Sequence, residues 1–150
     1  MATIAAIIGR ILLGVLFVFA GLGKVLDVDG TARFIETSSV LPGSLAMPTG
    51  VFEIAAGLVL ASGFGTRLAA LVLIGFTALA TLFFHYQVTD AQVAQAALKN
   101  LALIGGLVMV FAYAQLRAAT RSHDHADRKA AETKTGHRVD RDGDGRPDRP

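Results

Sequence analysis

The sequence predicts an all-α membrane protein, a four-helix transmembrane bundle in up-down-up-down order followed by a disordered C-terminal tail. Three observations carry this. Apolar residues make up 53% of the 150 positions, and they are gathered into four long runs that charge interrupts rarely, instead of being spread through amphipathic elements. Each run is close to the roughly 17–25 residues that a helix needs to cross a hydrocarbon layer about 30 Å thick. Beyond residue 116 the composition turns almost wholly polar, and nine of the 14 Lys and Arg residues fall there.

The first run covers about residues 4–24, with Arg10 inside it and Lys24 closing it. Val18 and Ala20 loosely fit a small-residue cleavage site, but the positive charge at Arg10 follows an apolar stretch where a leader carries it in front, so the segment reads as a retained helix. Residues 25–47 open with Asp27 and Asp29, hold a short helical stretch at Thr31–Val40 and end in Leu-Pro-Gly, which reads as a loop with an interfacial turn or two. The second run, about 48–66, begins at Pro48 and carries Glu53. Ser62 to Arg67 form a glycine-rich turn that forces an antiparallel hairpin with the third run, about 68–86. A polar stretch around Gln87–Gln92 leads to the fourth, about 93–116, which carries Lys99. None of the runs alternates polar and apolar as barrel strands do, so helices are what remains. Short connections make sequence neighbours spatial neighbours, giving one membrane domain over 1–116 and a charged tail over 117–150.

Composition also excludes. With no cysteine there is no disulfide framework, thiolate metal site or thiol relay. The net charge of +2 belongs to a tail in which acids and bases are mixed, which makes a poor nucleic-acid surface and leaves the lipid bilayer as the evident partner. That tail has too little apolar surface to offset chain entropy, and disorder is expected beyond Thr120. Asp140, Asp142 and Asp144 with Gly143 and Gly145 match the first half of a calcium loop. The acid due at loop position twelve falls past Pro150, which leaves calcium binding open. His123, His125 and Asp127 read as solvated, and no metal site is assigned.

Arg10, Arg67 and Arg117 fall at one end of an antiparallel bundle, so by the positive-inside rule that end and both termini are cytoplasmic, with Arg10 and Arg67 as inner-face anchors. Helix alternation then brings Lys24, Glu53, His85 and Lys99 together at the opposite end. Charges within a bilayer are costly and usually face a partner or water. In the first helix Arg10, Gly14, Phe17, Gly21 and Lys24 lie along one stripe; Gly50, Glu53, Gly57 and Ala61 do so in the second, and Lys99, Ala102, Gly106, Met109 and Tyr113 in the fourth. Small residues mark close helix approach, so these stripes are expected to point inward and carry Lys24, Glu53 and Lys99 with them. His85 follows Thr77 and Thr81 at spacing four. Three readings stay open for the cluster: a structural Lys24–Glu53 pair, a functional polar pocket, or unrelated surface positions, with Lys24, His85 and Lys99 close enough to helix ends to snorkel into headgroups.

The order of these residues has a parallel. Gly9-Arg10 with Gly14, Phe17, Gly21 and Lys24, then Glu53 with Gly57, then Gly63-x-Gly65-Thr66-Arg67-x-Ala69-Ala70, His85, and Lys99-Asn100 resemble the DoxX family of bacterial membrane proteins, over residues 4 to 116. The resemblance implies a four-helix protein of the bacterial inner membrane. In some members it implies a small subunit of a thiosulfate:quinone oxidoreductase, and in others a partner in oxidative-stress assemblies. An accessory subunit of a membrane redox assembly is therefore expected, with a soluble or membrane redox protein as partner and quinone as the cofactor the resemblance suggests; the residues themselves show no cofactor motif. A small proton-coupled transporter using Glu53 and His85, or a structural assembly protein, are the alternatives.

Overall fold

A computed structural model describes residues 2–84 and 91–139. Among them there are helices and no strands: α1 (Ala2–Leu26), α2 (Val28–Ser38), a 3-10 turn (Gly43–Leu45), α3 (Ala46–Ser62), α4 (Thr66–Phe84) and α5 (Ala91–Val139). Four are long and apolar enough to cross a membrane, α1, α3 with its preceding turn, α4 and the apolar part of α5. The chain divides into two units, Met1–Ala114 and Gln115–Pro150.

The first unit is the bundle. Gly14 of α1 lies against Gly57 of α3, and Gly21 against Gly50, so as the numbering rises in one helix it falls in the other and the two are antiparallel. A Cβ built on Gly14 would stand 2.6 Å from the Gly57 carbonyl oxygen, and one on Gly21 2.5 Å from that of Gly50. Only glycine lets the backbones come this close, and in lipid such close packing is what holds helices together, since acyl chains are as apolar as the side chains. α3 ends on Gly63, whose φ of 85° is the left-handed C-cap that glycine adopts without a Cβ penalty. Gly65 is also left-handed, and the two reverse the chain into α4. α5 returns along α1 and α4. The Tyr113 hydroxyl donates to Thr3 Oγ1 at 3.0 Å, Gly106 packs near Leu13, and Asn100 Nδ2 donates to Thr81 Oγ1 at 2.9 Å. The up-down-up-down order follows. Phe17, Leu60, Ala69, Ala70, Leu73 and Leu107 form the buried core.

Many large apolar residues are exposed, among them Ile4, Phe19, Leu68, Leu82 and Leu101; in a bilayer these meet acyl chains at no cost. Between α1 and α3 the short helix α2 starts three residues before the expected stretch. Asp27 is the reason: its Oδ1 accepts from Gly30 N at 2.9 Å, capping an orphan amide. Ser39 ends the helix, its hydroxyl donating to the Ile35 carbonyl at 2.7 Å.

In the second unit, where disorder is expected beyond Thr120, α5 runs on to Val139. Its described side chains from Leu116 onward are exposed, so burial does not hold it. Alanines at 118, 119, 126, 130 and 131 favour helix, and Asp124–Arg128 and Arg128–Glu132 stand at the i, i+4 spacing that stabilises a solvated one. Asp140, Asp142 and Asp144 lie outside the described residues.

Candidate functional site

The most expensive side chain in the bundle is Glu53. It sits two turns into α3 on the stripe with Gly50 and Gly57, and that seam carries it inward to 5% exposure. α1 presents Lys24 one turn beyond Gly21, on the same stripe. Lys24 Nζ donates to Glu53 Oε2 at 2.6 Å, and more weakly to the Ala20 carbonyl at 3.4 Å. The glycine seam thus ends in an ion pair. Glu53 Oε1 takes no hydrogen bond from any described residue, and it is not among the sealed buried atoms either.

Glu53 lines a cavity of about 560 Å³, within the range of small-molecule sites. Four helices and α2 wall it. Its apolar wall is shared by five phenylalanines, Phe17, Phe34, Phe76, Phe83 and Phe84, and by leucines, while Lys24, Thr31, Thr49, Glu53, Thr77 and Asn100 supply the polar groups. α2 contributes Thr31 and Ile35 as well as Phe34, and the Phe34 ring stacks on Phe84 with centroids 5.6 Å apart and planes 6° from parallel. Phe52 and Phe76 meet at 4.9 Å, bracing α3 on α4. Thr49 is internally satisfied, donating to the Leu45 carbonyl at 2.7 Å. Thr77 is not. It is 4% exposed and its Oγ1 has no partner among the described residues, whereas Thr81 one turn on donates to the Thr77 carbonyl at 2.7 Å. A buried hydroxyl left unpaired costs about 1–3 kcal/mol, so this wall is incomplete as it stands.

Of the four residues expected to converge, the structure brings Lys24 and Glu53 together. Lys99 is corrected: it is exposed, as are Ala102 and Met109 of its stripe. The face of α5 that turns inward is instead Asn100, Leu103 and Leu107, one position round the helix. A lysine near a helix end can carry its ammonium to the interface along an apolar stem, so its charge did not need an interior partner. His85 lies outside the described residues. Thr77 and Thr81, read only as neighbours of His85, are themselves at the cavity or bonded to its wall. At the other end Arg10 lays its guanidinium over the Gly63 turn, where a Cβ would be 2.6 Å from Nη1, and Arg67 is exposed. The cavity-lining phenylalanines of α4 and the part played by α2 were not singled out from sequence; five of the nine phenylalanines line the cavity.

The family model described as DoxX matches residues 5–86, a stretch that holds α1 to α4 and with them the ion pair and most of the cavity wall. A protein of Escherichia coli (strain K12) described as inner membrane protein YqjF is 33% identical over 107 residues, covering 71% of this chain and 82% of its own length. No solved structure matches the chain.

Proposed function

This chain belongs to the DoxX family of multi-pass membrane proteins, and from that premise we propose that it is an accessory subunit of a membrane redox assembly whose cavity holds a quinone-type ring beside Lys24 and Glu53. One observation carries the reading: an ion pair with a buried carboxylate lines a cavity of about 560 Å³ whose wall holds five phenylalanines. A structural ion pair has no need of a void next to it, since buried pairs do best when the space around them is filled. The free Oε1 of Glu53 and the unpaired Thr77 hydroxyl fit a head group with polar atoms, and the phenylalanines fit its flat ring. A bound quinone supplies a lipid-soluble carrier of electrons and protons. The protein's share is to hold the ring, keep water from it and present it to a partner redox protein. Lys24 and Glu53 fix the polar edge; Phe34, stacked on Phe84, closes the side towards α2.

The test is lipid extraction from protein purified out of native membranes. About one quinone per chain, counting its diol and dione forms together, is expected in the wild type, and clearly less in a folded Lys24→Met/Glu53→Gln double variant. A wild type that carries no quinone above the level of the surrounding lipid overturns the reading.

The orientation proposed with it puts both termini and the Arg10 end in the cytoplasm. Because the chain lacks cysteine, Asp29→Cys should react with an impermeant thiol reagent in spheroplasts and Ser122→Cys should not; the opposite pattern reverses the orientation.

A further inference from the structure

We infer that Glu53 makes this cavity selective for a ligand that donates a hydrogen bond, so that it binds the diol (hydroquinone) form of a ring in preference to the dione. The inference rests on the cavity reading proposed above and adds the oxidation state of its occupant. A carboxylate is an acceptor only, with room for about four hydrogen bonds on its two oxygens. Oε2 takes the Lys24 ammonium at 2.6 Å, while Oε1 takes nothing from the described residues. Glu53 as a residue is 5% exposed, yet this oxygen is not sealed over. Among the described residues it lacks a donor. A ring hydroxyl supplies one, in a charge-assisted O–H···O⁻ bond of the short, strong kind. A ring carbonyl brought to the same place sets lone pairs against a negative oxygen.

The other polar groups do not undo this. Lys24 keeps a third hydrogen beyond those directed at Glu53 and Ala20, and Asn100 a second beyond the one it gives Thr81; a ring hydroxyl oxygen accepts from these donors as a ring carbonyl does, so they meet either form. Thr49 and Thr81 spend their hydrogens on helix carbonyls. The Thr77 hydroxyl both donates and accepts, so it can meet either form of the ring and does not discriminate between them. Selection therefore falls to Glu53. Sites built around an unpaired buried polar group reject ligands that leave it unpaired far more strongly than apolar pockets reject a misfit.

The experiment compares three probes of nearly one shape, durohydroquinone, duroquinone and the dimethyl ether of durohydroquinone. Equilibrium dialysis against the full chain in phosphatidylcholine nanodiscs, without oxygen, gives their affinities. The wild type should bind the diol about 10- to 100-fold more tightly than either acceptor-only probe, the range expected of one hydrogen bond to a charged group. In Lys24→Met/Glu53→Gln, where no charge is left unpaired and folding is preserved, the preference should shrink to about threefold or less. Equal binding of diol and dione by the wild type overturns the inference and leaves the cavity reading intact. A preference that survives in the double variant also overturns it, because Glu53 is then not its source. Failure of all three probes to bind the wild type is a different result, which removes the cavity reading itself.

Discussion

The two sides of the bundle are built differently. Along the α1–α3 seam glycine faces glycine twice, at Gly14 with Gly57 and at Gly21 with Gly50, and the pair Lys24–Glu53 continues the same line. Where α4 and α5 complete the bundle, glycines are also present, but a Cβ on Gly75 or Gly105 would meet nothing within 4 Å; the buried contacts there are made by Leu73 and Leu107 and by the Asn100–Thr81 hydrogen bond. A small residue draws helices together only if the facing position is small as well. One side of the protein is therefore a backbone contact with no slack, and the other a side-chain contact that leaves space, which becomes the cavity.

Substitutions can break or sharpen this contrast. The largest effect is expected at the ion pair. Lys24→Met or Glu53→Gln alone should lower stability by about 3 kcal/mol, the low end of the loss from orphaning a buried charge, because the Lys24 side chain keeps 30% exposure. The double variant should recover most of it, and additive losses would show that the pair is not coupled. Next come Gly14→Ala and Gly21→Ala, whose added carbon meets backbone that cannot yield; about 1–3 kcal/mol of thermal stability in detergent should be lost. A neutral result at both would mean that the seam is looser than described. Thr77→Val keeps the shape and removes the unpaired hydroxyl, so stability should hold or rise slightly, within about 1 kcal/mol. A clear loss would show that the hydroxyl is bonded in the membrane. Gly75→Ala is the control: with open space around it, it should be neutral or stabilise by up to about 1 kcal/mol through helix propensity. If it destabilises as much as Gly14→Ala, the two sides do not differ.

Much of this was legible in the sequence, for a physical reason. Lipid satisfies no backbone groups, so span number and direction follow from apolar length and turn chemistry, and Gly63 and Gly65 mark the hairpin where they stand. Gly14, Gly21, Gly50 and Gly57 were readable as a stripe because both partners carry one. On α5 the same logic failed. Ala102 and Gly106 suggested a face, but Gly106 touches only the flexible end of Leu13, and the helix is set by Leu107 and Asn100 instead. Spacing alone cannot tell a small residue that is packed from one left facing lipid. Nor does it reveal a cavity, which is defined by what α2 and four helices fail to fill.

The glycine seam has a consequence for how the protein is made. It joins α1 and α3, which leave the ribosome before α4 and α5, and it uses no residue from those two. Chains are synthesised at roughly 5–20 residues per second and their earlier parts settle first. The most exacting contact in the molecule can thus close, with its ion pair in place, while α4 and α5 are still being translated. The later helices then arrive at a finished template, and a fault in the seam is a fault in biogenesis before it is one in the mature protein.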